Sequence, residues 1–200
     1  MKKRACILAV AATLVFALTS ASQAHAQNIP TAVARIQLYG WAGVAGNFSG
    51  VALADNLDIT AGADLEFRPF FSLYPALEVR GLYPIDSGHI VAEKNALVGI
   101  RLARHVHPFT PYGDVLFGRG QLNFLNGGYP TPSGTFYVLS NTSNVLSFGA
   151  GTDYSLNSRF ALKGDFQFQR YASPVTTTGY VYSKVFTVGI VYRVGARGLK

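Results

Sequence analysis

The sequence holds a single cysteine, Cys6, and charged side chains at only 14% of its 200 positions. Cys6 lies in an apolar stretch at the very start of the chain, so everything after it lacks a thiol. Disulfides, thiolate metal sites and cysteine nucleophiles are thereby excluded. Acids are few, with ten Asp and Glu against seventeen Lys and Arg, a formal charge of +7. Three of the basic residues, Lys2, Lys3 and Arg4, precede the apolar stretch, and without them the charge is a mild +4. The remaining basic residues are dispersed, with no run resembling a nucleic-acid arm, so no nucleic-acid partner is expected. Beyond residue 18 no uninterrupted apolar run approaches the roughly 20 residues of a spanning helix, which argues against a helical membrane protein.

What is present begins with MKKRACILAVAATLVFALTSASQAHAQ. Three cations, an apolar run from Ala5 to about Leu18 and the closing Ala24-His25-Ala26 make a secretory signal, with cleavage expected after Ala26. Cys6 is too close to the N-terminus to be a lipoprotein acylation site. Residues 1–26 are therefore set apart as a signal peptide, leaving 27–200 as one domain.

In that domain Gly and aromatics are plentiful and the hydropathy alternates with a period of two, which predicts strands. Eight are expected, at about 34–45, 57–68, 73–83, 94–105, 111–123, 144–156, 159–171 and 184–194. The segments between them alternate in length. Pro69 to Ser72, Val106 to Thr110 and Asn157-Ser158 are short; Gly46 to Asn56, Pro84 to Glu93, Phe124 to Ser143 and Ala172 to Ser183 are longer. In an antiparallel meander every second connection lies at the same end, so one rim carries short turns and the other long loops. Outer-membrane barrels have this asymmetry.

Each strand separates into two faces. Phe160, Leu162, Phe166 and Phe168 oppose Lys163, Asp165, Gln167 and Gln169; Ile59, Ala61, Ala63, Leu65 and Phe67 oppose Asp58, Thr60, Asp64 and Glu66. The pattern by itself fits a soluble barrel with its apolar face inward or a membrane barrel with that face outward. The outward reading is favoured because the polar face mixes both signs. Asp64, Glu66, Glu78, Asp114, Asp153 and Asp165 are available to meet Arg80, Arg101, Lys163 and Arg193, and in a narrow lumen each charge needs a partner. Gly62, Gly99, Gly118, Gly149, Gly151 and Gly189 share that face, where eight strands leave little room. Aromatics gather near both ends, with Phe70, Phe71, Tyr74, Phe109, Tyr112, Phe160 and Tyr192 at the short-turn rim and Phe124, Tyr171, Tyr182 and Phe186 at the other. Girdles at two lipid–water interfaces would look like this.

With FTPYGDVLFGRG from Phe109 and SFGAGTDYSLNSRFALKGDFQFQRY from Ser147, the chain resembles the OmpA-like and OmpX-like outer-membrane β-barrel superfamily of Gram-negative bacteria. The resemblance covers the chain beyond the signal and implies an all-β, eight-stranded, up-and-down transmembrane barrel of the cell envelope. It also implies outer-membrane lipid, lipopolysaccharide and the outer-membrane assembly machinery as partners. One departure stands at the end: such barrels usually finish on an aromatic residue, whereas here Tyr192-Arg193-Val194 is followed by GARGLK, so either Phe186 and Tyr192 serve internally or the tail is a frayed extension.

No catalytic, cofactor or metal site is expected. His105-Val-His107 would put two imidazoles on one strand face, but no third ligand lies nearby in sequence; His89 belongs to a long loop. No His-x-Ser pattern of the lipid A deacylase kind is present, and a non-enzyme is expected. The inner charges are expected to hold the strands in register. Arg119 and Arg170 alternate outward, where lipid would penalise them at the midplane but not at the rim. A bulge at Gly118 or Gly120 would also remove the conflict for Arg119, and contact with lipopolysaccharide phosphates would employ both. The functional expectation is membrane integrity or surface interaction through the long loops, with an unknown surface ligand among the expected partners; a narrow small-solute channel and a soluble lipocalin-like carrier are the alternatives.

Overall fold

Alternation of large apolar and polar residues makes each strand two-faced, and a closed sheet lets one face turn inward along its whole length. The computed structural model describes residues 36–52, 54–86 and 90–194. The signal peptide expected over 1–26, His89 and the tail after Val194 lie outside the described residues.

The described chain forms ten strands: β1 (Gln37–Ser49), β2 (Asp55–Glu66), β3 (Tyr74–Asp86), β4 (Val91–Ala103), β5 (Phe109–Phe124), β6 (Tyr129–Pro130), β7 (Tyr137–Val138), β8 (Ser140–Ser155), β9 (Phe160–Ala172) and β10 (Tyr180–Val194). Eight of them close into one antiparallel barrel in the order β1-β10-β9-β8-β5-β4-β3-β2, and β6 and β7 make a small hairpin inside the longest loop. β1 completes the closure by pairing with β2 on one side and β10 on the other, from Leu38↔Val194 to Ser49↔Ser183. A full ring leaves no edge strand to recruit another chain.

All eight expected strands are present, but several extend further towards the long loops. β1 continues to Ser49, β4 starts at Val91, β8 at Ser140 and β10 at Tyr180. These extensions differ in composition, from the polar Ser-Asn-Thr-Ser of β8 to the Tyr-Val-Tyr-Ser of β10, and each is too short to show a period of two by itself. Ladder hydrogen bonds continue there regardless, because pairing requires backbone and not an apolar face.

The short connections are tight. Phe70 and Leu73 exchange backbone hydrogen bonds of 2.8 and 3.0 Å across Phe71 and Ser72, whose φ values of 48° and 63° make a primed two-residue hairpin turn. Between β8 and β9 the Asn157 side-chain oxygen accepts from the amides of Arg159 and Phe160, both at 2.8 Å, an Asx-type turn.

The faces divide as the outward-apolar reading expects. In β9 Ala161, Lys163, Asp165, Gln167, Gln169 and Tyr171 are buried, while Phe160, Leu162 and Phe168 are exposed. Three aromatics assigned to the girdles belong inside instead: Tyr112, Phe124 and Tyr171 are buried in the lumen. Their height along the barrel suggested a girdle, but their register places them on the same side as Asp114, Leu122 and Gln169. The lumen is also not polar throughout. Towards the loops it is filled by an apolar cluster including Val91, Leu97, Leu116, Leu122, Val145 and Tyr171, joined by Val51 from the first loop and Val175 from the last.

Candidate functional site

A charge taken out of water must be met by counter-charge and hydrogen bonds, and the turn-side half of the lumen is organised around three cations. Arg80, on β3, donates from Nε and Nη2 to Glu78 Oε1 at 2.9 and 2.7 Å, and from Nη1 to Asp165 Oδ1 at 2.6 Å. Its Nη2 also lies 3.9 Å from Asp114. Since β3 and β9 stand on opposite sides of the ring, the Arg80–Asp165 pair spans the barrel. Arg101, on β4, reaches Asp64 on β2 and Asp153 on β8. Lys163 lies 3.9 Å from Asp153.

Neutral groups complete this brace. Gln167 Nε2 donates to both oxygens of Asp114 at 3.0 Å and to Asp165 at 3.2 Å, while Gln167 Oε1 accepts from Ser147 at 2.7 Å. Tyr112 donates its hydroxyl to Asp165 at 2.9 Å. The aromatic faces are used as well. Arg80 lies 4.8 Å from the Trp41 ring and Arg101 3.8 Å from that of Tyr112, with Lys163 near both rings, a favourable arrangement for desolvated cations.

Of the ten residues expected to line the lumen, Asp64, Glu78, Arg80, Arg101, Asp114, Asp153, Lys163 and Asp165 meet in this brace. Glu66 lies apart at the turn-side mouth, where Tyr39 donates to it at 3.2 Å and His105 Nε2 approaches to 3.2 Å. Arg193 is at the same mouth, only partly buried, and donates to Ser155 Oγ at 2.7 Å instead of to a carboxylate. The paired-imidazole arrangement is not formed: β4 ends at Ala103, His105 turns to Glu66, and His107 is exposed in the turn. Among the described residues no group of three or more His, Cys, Asp or Glu is arranged to hold a metal.

A second buried polar group joins Asp58 and Gln169, which alternation expects on the inner face, to Glu93, which it does not. In the loop-side half, Glu93 is fully buried and accepts from Asn47 Nδ2 at 3.1 Å and from Ser183 Oγ at 2.8 Å. Asp58 is fully buried too. Asn95 donates to Gln169 at 2.8 Å and to Tyr171 at 2.7 Å. Glu93 was read as loop because no apolar alternation surrounds it; the spacing Glu93, Asn95, Leu97, Gly99, Arg101 would have placed it on the inner face.

Arg119 and Arg170 both face outward. Arg119 donates to Asn144 at 3.3 Å, and Arg170 lies over the Tyr180 ring at 4.6 Å. No bulge turns Arg119: β5 pairs with β4 and β8 in unbroken register through Gly118 and Gly120. Its position towards the loop end is what remains to accommodate it. Pairings Arg119↔Asn144 and Leu146↔Arg170 place the two arginines on either side of β8 at nearly the same height. Lys94 and Lys184 occupy outward positions on β4 and β10 in the same zone.

The closed ring of eight antiparallel strands has counterparts among solved structures. Neisserial surface protein A matches with a TM-score of 0.50 and 15% identity over 78% of this chain and 96% of that one. The attachment invasion locus protein of Yersinia pestis, in complex with the heparin analogue sucrose octasulfate, matches with a TM-score of 0.51 and 13% identity over 80% of this chain and 99% of that one. The fold is that of the OmpA-like and OmpX-like outer-membrane β-barrels. No family model and no curated protein matches the sequence, so the likeness rests on architecture.

Proposed function

We propose that this chain is a non-catalytic integral outer-membrane barrel that supports membrane integrity or surface interaction through its long loops. The observation that carries the reading is the outer face. Val44, Ile59, Leu77, Val98, Ile100, Val115, Phe117, Phe148, Val188 and Ile190 are all exposed around the ring, a far larger apolar surface than soluble monomers present to water. A lipocalin-like carrier would bury this face around a ligand; here the inside is filled by the ion-paired brace and the apolar cluster. The same filling disfavours a solute channel, since eight strands leave an interior just wide enough for side chains. Insertion would require the outer-membrane assembly machinery, with Phe186 and Tyr192 as the nearest aromatics to the end of β10.

The partner that fits the outer rim is lipopolysaccharide. Lys94, Arg119, Arg170 and Lys184 are spread over β4, β5, β9 and β10 where phosphate groups of an anionic outer leaflet would meet them. The exposed loop residues Phe136, Tyr137 and Leu139 offer an apolar surface to a further ligand.

The test is expression of the whole sequence in a Gram-negative host, followed by isolation of outer membranes and gel mobility with and without boiling. A band that migrates faster unboiled, resists urea washing and retains lipopolysaccharide is expected. A soluble periplasmic product without a heat-dependent shift would overturn the membrane reading. Retention of lipopolysaccharide unchanged after neutralising all four rim cations would overturn the partner alone.

A further inference from the structure

The two halves of the lumen treat their carboxylates differently. In the turn-side half Arg80, Arg101 and Lys163 are set among the acids. In the loop-side half Asp58 and Glu93 are fully buried, and among the described residues no lysine or arginine side chain is buried with them. Neither Asp58 oxygen has a partner at normal hydrogen-bond geometry within the protein, although the Asn47 side chain stands beside it.

Asn47 links the two acids. It is fully buried on β1, its Nδ2 is committed to Glu93, and its Oδ1 is left without a partner. Asn56, its neighbour across the β1–β2 ladder, is buried with both its Oδ1 and its Nδ2 unpartnered, so its amide can turn its oxygen towards a ligand. Ser183 Oγ approaches Glu93 from β10. Two carboxylates, two side-chain amides and a hydroxyl thus line the loop-side interior on β1, β2, β4 and β10, with no histidine or cysteine among them.

We propose that the loop-side half of the lumen binds one calcium ion through Asp58, Glu93, Asn47 and Asn56. Two carboxylates balance a divalent charge, and an all-oxygen donor set selects a hard cation over zinc or copper. Calcium accepts six to eight oxygens in irregular geometry, whereas magnesium requires a near-ideal octahedron and dehydrates reluctantly. In this arrangement the ion does for the loop half what Arg80 and Arg101 do for the turn half, tying β1, β2 and β4 together, with β10 joined through the Ser183 hydrogen bond to Glu93. Buried Val51 and Val175, contributed by the first and last loops, lie towards the loop end of the same interior, so the ion would be loaded as the barrel forms.

The experiment uses the chain refolded into detergent free of lipopolysaccharide, once with calcium and once with a chelator, with the heat-mobility shift confirming a closed barrel in each. One equivalent of calcium retained after desalting, and a higher unfolding temperature than with magnesium or chelator, are expected. Asp58→Asn and Glu93→Gln, each refolded and heat-modifiable, should lower calcium affinity at least tenfold, while Asp153→Asn in the other half should not. Closed barrels that retain no calcium and unfold alike with calcium or chelator would overturn the proposal, leaving ordered water or protons to satisfy the two acids. Equal calcium retention in Asp58→Asn would overturn it as well.

Discussion

Every strand of this barrel has an inside and an outside built on the same backbone, and the two follow different rules. On β9 the inner row is fixed residue by residue: Asp165, Gln167 and Gln169 are each hydrogen-bonded to another strand, and Lys163 lies 3.9 Å from Asp153 and near the Trp41 and Tyr112 rings. The outer row, Leu162, Phe166 and Phe168, meets only its neighbours and the surrounding medium. The inner face therefore demands identity, whereas the outer face demands only hydrophobicity. Replacing Arg80 by Met tests the first rule most severely. It strands Glu78 and Asp165 in the lumen, and loss of one member of a buried ion pair costs about 3–5 kcal/mol. Urea unfolding in lipid vesicles should show that loss, whereas Arg119→Met on the outer rim should remain within about 0.5 kcal/mol. Equal effects would erase the distinction between the faces.

The outer rule is tested by charge instead of by partner. Val98 is exposed at the middle of β4, remote from both rims. Val98→Arg should destabilise the barrel in a bilayer by about 2–4 kcal/mol, the penalty for a cation at the midplane of the lipid-facing surface. The measurement is again unfolding in vesicles, with Val98→Leu as the reference. A neutral result would mean that this face meets water, and the argument for a membrane would fail with it.

Much of this was legible in the sequence. Alternation assigned the inner face of β2, β3, β4 and β9, and the two lengths of connection gave the up-and-down order. What alternation could not deliver was distance across the ring. That Arg80 meets Asp165 and not Asp64 depends on the strand order and on the stagger of eight strands, which no local pattern contains. Alternation also fails where its contrast fades. Asn47, Glu93 and Ser183 lie in short extensions beside the loops, where a period of two has no room to stand out even with Phe48 and Tyr182 exposed on the outer face, so they read as loop although their inner neighbours remain buried. Tyr112 and Tyr171 show the converse: height along the barrel suggested a girdle, and only register shows that their rings fill the lumen.

The smallest of the expected effects uses one substitution on both faces. Gly149, on the inner side of β8, lies against Gln167 and Asp114, so that an added Cβ would overlap the Gln167 amide and the Asp114 carboxylate. Gly164, on the outer side of β9, has nothing within 4 Å of the same added atom. Neither position has a positive φ, so backbone strain does not separate them and only the surroundings differ. Gly149→Ala should cost about 1–3 kcal/mol, the usual range for forcing a group into a packed interior. Gly164→Ala should be neutral or stabilise by about 0.5–1 kcal/mol, because alanine has less conformational freedom to lose in a strand. Opposite signs in the same unfolding assay would show that lumen packing, and not strand propensity, fixes the small residues of the inner face. If both substitutions stabilised the barrel, Gln167 would be free to withdraw from Gly149, and the brace around Asp114 would be looser than its hydrogen bonds imply.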